Sequence, residues 1–367
     1  MERIGIVGLP NSGKSSLFNA LTGGSAVVAS HPFSTTETSV GIAQVYDHRL
    51  LALAEMSKSR KVVAATIEFA DQAGLVAGAS GGEGLGNKFL AGIREVDAIC
   101  LVLRAFVDEN VVGDADPLSD LETLELELVL ADATTVSNNL EKRRRAAKGD
   151  KSLVVEVEAL DAVDKVLQDG TALWRTDVAP EHLAALAPFC LLTAKRAFAV
   201  VNISDDQLGD ADAIVAPVAQ AFGGNGEPAG SGGSEKVLPV SVQLEAEAAQ
   251  LDAAGKVELL EGLGLGEGAL PRVTRAAYAL LGRSTFLTTG EQESRAWTFR
   301  TGAKAPECAG VIHSDLQRGF IRAECIRWDE LLELGSWSKA KDAGKLRVEG
   351  KDYVVQDGDT LEIRFNV

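Results

Sequence analysis

The sequence predicts an α/β fold: a mostly parallel sheet flanked by helices, with an inserted antiparallel helical arm and a small C-terminal β domain. Three observations predict it. An apolar run, Ile4 to Val7, leads through a glycine-bounded turn into the amphipathic stretch Ser16 to Leu21, which reads as strand, loop, helix. Short apolar runs then recur at Ala64–Ala70, Ala98–Leu103 and Ala197–Val201, the pattern of buried parallel strands. Finally, two series at helical spacing, Leu121, Leu124, Leu128, Ala131 and Leu153, Val157, Leu160, Val163, Leu167, flank Gly149-Asp150 and predict two helices joined by a short turn.

The first of these elements carries the chemistry. Gly8-Leu9-Pro10-Asn11-Ser12-Gly13-Lys14-Ser15 has the spacing G-x-x-x-x-G-K-[ST] of a phosphate loop. Its glycines let backbone N–H groups turn inward onto phosphate oxygens, and the following helix adds the partial positive charge of its N-terminus. Lys14 then lies along the β- and γ-phosphates and Ser15 offers its hydroxyl to Mg2+, a hard cation that takes oxygen ligands. Asn11, Ser12, Gly13 and Ser16 complete the expected phosphate contacts.

The rest of the composition bounds the class. With 367 residues, 46% hydrophobic and 24% charged, the chain has the make-up of a globular protein of two or three domains. A formal net charge of −17 argues against nonspecific coating of nucleic acid and against sequence-specific DNA binding, while leaving room for a local basic patch. Cys100, Cys190, Cys308 and Cys325 are widely spaced and form no C-x-x-C pair, and no secretory leader precedes Ile4; both suggest reduced core residues in the cytoplasm. The longest uncharged apolar stretch, Leu183 to Ala194, contains Pro188 and is too short for a bilayer span, so no membrane partner is expected.

After the first helix, Ser30-His31-Pro32-Phe33-Ser34-Thr35-Thr36-Glu37 is a polar loop without periodicity, followed by an alternating segment, Val40–Val45, that predicts an edge strand. A loop in this position carries, in switch-type nucleotidases, a threonine that completes the magnesium shell while the γ-phosphate is present; Thr35 is the candidate, with Thr36 beside it. The next strand ends in Asp71-Gln72-Ala73-Gly74. Asp71 suits an indirect, water-mediated reach to magnesium and the Gly74 N–H suits the γ-phosphate. Leu75 stands where many such switches place a water-orienting glutamine, which predicts slow hydrolysis. Gly78, Gly81, Gly82, Gly84 and Gly86 follow, the composition of a mobile switch segment.

Taken together, Gly8–Ser16, His31–Thr35, the string from Asp71 to Leu90 and Arg295-Ala296-Trp297-Thr298 resemble the YchF/Obg-like ATPase family over essentially the whole chain. The resemblance implies a translation-factor-class P-loop fold, ATP hydrolysis in preference to GTP, association with ribosomes, and a C-terminal β-grasp domain of the TGS type. It implies a division into a nucleotide-binding domain (1–120 plus 188–280), a helical arm (121–187) and a TGS domain (281–366). A hydrophobic residue at Leu75 is characteristic of that family. A histidine proposed to assist hydrolysis is expected where this chain has Gly113, which leaves the catalytic base unassigned. Asn11 resembles the loop asparagine that lets K+ stand in for an arginine finger in related switches.

The base-reading element is Asn202-Ile203-Ser204-Asp205. A guanine site uses N-K-x-D and the family uses N-x-x-E; Asn202 and Ile203 match an adenine surface, whereas Asp205 stands at the spacing of a guanine reader, so ATP and GTP both remain open. Ser241, Val242 and Gln243 are placed to approach the base from the other side. Between the arm helices, Lys142-Arg143-Arg144-Arg145 with Lys148 is the densest cationic cluster and a candidate grip for ribosomal RNA phosphates. In the C-terminal region Thr285–Thr288 and Ala296–Phe299 predict strands, Leu346–Val348 with Tyr353–Val355 predicts a hairpin, and Thr360–Phe365 alternates as a further strand. His313 and Asp315 find no catalytic companion at a sensible spacing, and Arg318, Arg322 and Arg327 face either RNA or neighbouring acids.

The reading is a ribosome-associated ATPase that cycles between ATP and ADP as a translation-linked switch. Its rivals are a GTPase of the same architecture and a nucleotide-gated ribosome- or RNA-binding protein with negligible turnover.

Overall fold

The structure is a computed structural model describing residues 2–23, 27–29, 38–72, 85–109, 111, 115–223 and 236–366. The chain forms two compact units, Met1–Ala43 with Glu68–Leu280, and Gln44–Ile67 with Leu281–Val367.

Among the described residues the first unit is built on a seven-stranded sheet. Its strands are β1 (Arg3–Gly8), β2 (Val27–Ala29), β3 (Thr38–Val45), β5 (Ala65–Asp71), β6 (Ala98–Arg104), β7 (Arg196–Asn202) and β8 (Val237–Val240), in the order β2-β3-β5-β1-β6-β7-β8; β4 (Lys61–Val63) belongs to the second unit. β1 runs parallel to both β5 and β6, and β6–β7–β8 continue in parallel. All seven residues of β6, Cys100 among them, are buried, as expected of a strand covered on both faces. Cys308 and Cys325 are buried too, whereas Cys190 is exposed and not the core residue expected, because it ends the turn Ala187–Phe189 in a left-handed conformation (φ 49°) at the surface. β3 is not the edge strand expected from its alternation, because β2 pairs with it antiparallel on the outside. Registers Ile6↔Asp71, Gly8↔Val102, Arg104↔Asn202 and Asn202↔Val240 bring the carboxyl ends of five strands to one edge, where α/β sheets bind ligands.

The helix Pro117–Ala147 starts as its sequence dictates, with Asp116 accepting from the Leu118 and Ser119 N–H groups and proline in the first turn. Its first half sinks Leu121, Leu124 and Leu128 into the core that covers β6 and β7. Its second half packs Val136 and Leu140 on Ala159, Leu160, Val163 and Leu167 of the helix Val154–Gln168, forming a separate small core. The turn between them falls at Gly149-Asp150, with Asp150 capping Ser152. Where the two cores meet, buried Asp132 accepts from the Leu192 N–H (2.8 Å), the Thr193 N–H (2.7 Å) and the Thr193 hydroxyl (2.7 Å).

The second unit holds a six-stranded sheet in the order β12-β11-β13-β9-β10-β4, with β9 (Arg283–Thr288), β10 (Glu293–Arg300), β11 (Phe320–Arg327), β12 (Arg347–Glu349) and β13 (Asp359–Phe365). The hairpin expected between residues 346–348 and 353–355 does not form. β12 instead lies antiparallel to β11, while Val355 is buried with Phe286 and Phe299, the Tyr353 hydroxyl donates to Asp359 (2.7 Å) and Val354 bridges to Lys304. Burying Val355 and satisfying Asp359 outweigh a second local pairing. Arg318, Arg322 and Arg327 sit beside Asp315, Glu324 and Asp329.

Residues 44–67, which the sequence reading placed in the nucleotide-binding domain, cluster with this second unit. The helix His48–Met56, capped by Asp47, buries Leu50 and Leu53 against the helix Trp328–Leu334 and β10. β4 extends the sheet alongside β10, and Ser59 donates to the Gly290 carbonyl (2.7 Å). The two units divide the charge unevenly. The first has 19 basic and 37 acidic residues, net −18; the second has 17 and 16, net +1.

A chain ending at Leu280 therefore strips the surface that covers Leu50 and Leu53. Such a truncation is expected to bind a hydrophobic dye and to aggregate, whereas excising 46–64 as well restores solubility; equal solubility of both would show that this segment needs no partner.

Candidate nucleotide-binding site

β1 ends at Gly8 because nothing larger fits: a Cβ there would lie 2.5 Å from the Val102 carbonyl oxygen and 2.6 Å from the Ser12 hydroxyl. The chain turns through Asn11 (φ 62°) and Gly13 (φ 95°) and enters the helix Lys14–Thr22. No side chain caps that helix, so its first N–H groups and its positive dipole end face the loop interior, ready for an anion. Asn11 is exposed at the mouth of the loop and Ser12 is fully buried.

Lys14 is buried and donates from Nζ to the Leu9 carbonyl across the loop (2.9 Å). Burial pushes its ammonium below the ordinary lysine range, with Asp71 pulling the other way. The Ser15 hydroxyl donates to Asp71 Oδ2 (2.7 Å), and burial lifts the Asp71 carboxyl, opposed by that bond and by Lys14. Asp71 Oδ1 is buried with no partner among the described residues, so the serine hydroxyl and the aspartate leave an unsatisfied oxygen at the end of β5. This donor set, hard oxygens beside a phosphate loop, fits Mg2+.

Asn202, at the end of β7, ties the site together. Its Nδ2 donates to the Ser12 carbonyl (3.0 Å), its Oδ1 accepts from the Val242 N–H (3.2 Å), and its own carbonyl accepts from the Ala105 and Phe106 N–H groups (2.9 and 3.1 Å). A Cβ on Gly13 would lie 2.2 Å from Asn202 Nδ2. One buried amide thus connects the phosphate loop, the turn after β6 and the turn after β8. Ser241 caps the helix Val242–Ala248 through the Leu244 N–H (3.3 Å) and donates from its hydroxyl to Asp205.

These elements border a cavity of about 430 Å3 that contains Gly13, Ser16, Asn202, Ile203 and Val242. Phe106, Val107, Asp108, Gln243, Ala246 and Glu247 also line it. Of these six, Gln243 alone was anticipated in the sequence. Phe106 carried one usable signal, its place two residues beyond the end of β6, and Val107 and Asp108 follow it along the chain. Ala246 and Glu247 are brought in by the packing of the 242–248 helix. Thr35, Gly74, Leu75 and Gly113 lie outside the described residues. Among the described residues no group of three or more His, Cys, Asp or Glu side chains is assembled as a metal cluster.

A phosphate loop opening an uncapped helix, an oxygen pair at the neighbouring strand end and an asparagine-centred pocket beside it define a P-loop nucleotide-binding protein of the GTPase-related class. Residues 3–142 match a family model described as a 50S ribosome-binding GTPase, and residues 284–366 match the YchF-GTPase C-terminal model, described as a protein of unknown function (DUF933). The chain is 46% identical to "Ribosome-binding ATPase YchF" of Bacillus subtilis (strain 168) over 99% of each chain. It is 43% identical to the protein of the same name from Haemophilus influenzae, over 100% of this chain and 99% of that one. A solved structure, titled "Structure of the Schizosaccharomyces pombe YchF GTPase", superposes with a TM-score of 0.80 at 28% identity, covering 99% of this chain and 97% of that one. The chain belongs to the YchF family.

Removing the asparagine leaves the Ser12 carbonyl and the Val242 N–H unpaired, each costing about 1–3 kcal/mol. Asn202→Ala is expected to lose at least roughly tenfold in nucleotide affinity and to melt earlier, by calorimetry and thermal unfolding. Unchanged binding would show that the loop holds its shape without it.

Proposed function

We propose that the protein is a ribosome-associated ATPase that binds ATP with Mg2+ and hydrolyses it slowly to ADP as a switch in translation. The observation that carries this reading is the constellation of Lys14, Ser15 and Asp71 around the open N-terminus of the first helix. In support, the relatives of high identity are named ribosome-binding ATPases.

In the reaction, the loop N–H groups and Lys14 hold the β- and γ-phosphates and balance the charge that develops on the leaving group. Lys14 leaves the Leu9 carbonyl for phosphate, an exchange of a neutral acceptor for a charged one. Ser15, Thr35 and, through water, Asp71 would hold magnesium, which when bound would supply positive charge to offset that of the phosphates. Thr35 and the Gly74 N–H sense the terminal phosphate, and loss of that phosphate releases their segments. Leu75 and Gly113 supply no group to orient or deprotonate water, so turnover is slow. Asn11 is the residue on which a potassium ion would bear.

The base lies against Ile203 and Val242, faced by Phe106. Ile203 has no ammonium or stem to cover guanine as a lysine does, which supports adenine. GTP is the second reading, favoured by Asp205, whose carboxylate is fixed by Ser241 at the position of a guanine reader.

The ribosome contact is assigned to the arm 121–187. At its tip Arg143 pairs with Glu156 (2.7 Å) and Arg144 with Glu141 (2.8 Å) and Asp161 (2.5 Å), whereas Lys142, Arg145 and Lys148 are exposed and show no ion pair among the described residues. Those three are the cations available to phosphate.

Lys14→Ala is expected to weaken ATP binding roughly 10- to 100-fold, the worth of one or two charge-assisted hydrogen bonds, measured by calorimetry against ATP and GTP. Equal affinity of variant and parent, or exclusive binding of GTP, overturns the ATPase reading. Replacing Lys142, Arg145 and Lys148 by alanine is expected to reduce ribosome co-sedimentation and to flatten its salt dependence by about three phosphate contacts, with ATP affinity unchanged. Undiminished co-sedimentation would move the contact elsewhere.

A further inference from the structure

A second cavity of the first unit, about 410 Å3, opens at the opposite end of β7 from the nucleotide site. Arg196, the first residue of β7, lines it, whereas Asn202, the last, borders the nucleotide; the two sites are separated by roughly 20 Å along the strand. Its lining is unusual for this molecule. Three cations, Lys195, Arg196 and Lys236, surround it, and among the described residues no carboxylate does, in a unit where acids outnumber bases 37 to 19.

Its apolar wall is aromatic and held in place. Trp174 and Phe222 meet at 6.2 Å between centroids, and the Trp174 indole N–H donates to Glu125 (3.0 Å), a carboxylate that Arg175 clamps from the other side. Two of the cations are positioned by backbone carbonyls, and among the described residues none of the three pairs with an acid. Lys195 donates to the Arg94 and Val96 carbonyls (3.1 and 2.6 Å), and burial pulls its ammonium below the usual lysine range although Asp97 and Asp132 oppose this. Arg196 donates one N–H to the Leu280 carbonyl (2.6 Å), which fixes the guanidinium at the rim with further N–H groups in hand. Lys236 is exposed at the same rim.

We infer that this cavity is a second binding site for a nucleoside phosphate, with the base against Trp174 and the phosphate on Arg196 and Lys236. An aromatic face takes a base of any sequence, and cations without carboxylate partners take the anion; together they are the elements of single-nucleotide binding. The volume falls in the range of small-ligand sites. A free mononucleotide and one unstacked nucleotide of an RNA strand share this chemistry. The site is independent of the phosphate loop and does not rest on the reading of that loop as an ATPase.

The test uses the full chain carrying one molar equivalent of ADP, probed with AMP and with a five-residue oligoadenylate, in the parent and in an Arg196→Ala/Lys236→Ala variant. Both substitutions are at the rim, so folding is spared. At least one probe is expected to bind beyond the ADP equivalent, with affinity falling tenfold or more in the double variant and recovering in Arg196→Lys/Lys236→Arg, while ADP affinity stays constant. Binding of AMP identifies a free nucleotide as ligand, and binding of the oligonucleotide alone identifies RNA. Uptake of neither probe, or equal uptake by parent and double variant, overturns the proposal. Lys14→Ala separates the two sites, since it lowers ADP affinity and leaves second-site binding of the probes intact.

Discussion

The hydrogen bonds of one buried amide hold the nucleotide site in shape. Asn202 joins the Ser12 carbonyl to the Val242 N–H, and its backbone carbonyl anchors residues 105 and 106. The ends of β6, β7 and β8 are also joined by Gln207 donating to the Ala105 carbonyl, Ser241 donating to Asp205 and the Ile203 N–H donating to the Val240 carbonyl, and Asn202 extends that set to the phosphate loop. Satisfying both ends of one amide in a buried position is what makes their arrangement unique, because any alternative strands a polar group out of water. Gly13 is a consequence: its positive φ and the 2.2 Å gap to Asn202 leave no place for a side chain.

Around that point the site is arranged by charge. A helix end without a side-chain cap, a buried lysine and an aspartate with one unsatisfied oxygen are each unfavourable alone. A metal-bound polyphosphate answers all three, supplying anion to the N–H groups and ammonium and cation to the carboxylate. The larger electrostatic pattern repeats this logic. A unit of net −18 repels phosphate in general, so an anion site on it needs local cations and N–H groups.

The segment between β3 and β5 gives the architecture its other constraint. Both strands belong to the nucleotide-binding sheet, and β5 carries Asp71 at its end, yet the residues between them fold into the second unit as a helix and the strand β4. The C-terminal unit is therefore completed by residues that lie between the two expected magnesium-contacting segments. A domain boundary drawn from the C-terminal stretch alone omits them.

Much of this was legible along the chain. Gly8, Gly13, Lys14 and Ser15 announce their chemistry because phosphate binding needs consecutive backbone N–H groups, so its determinants are local and their spacing survives in sequence. Asp71 and Asn202 were legible for a related reason, standing at strand ends, and the arm helices because a helix writes its buried face at fixed intervals. Tertiary structure alone decided the rest. Phe106, Ala246 and Glu247 share a cavity only through the parallel register of β6, β7 and β8; residues 44–67 choose the second unit because Leu50 and Leu53 are buried there; and residues 353–355 leave the hairpin their composition suggested because Val355 and Asp359 gain more from the core. Such choices compare burial and pairing between residues distant along the chain, and local periodicity holds no record of that comparison.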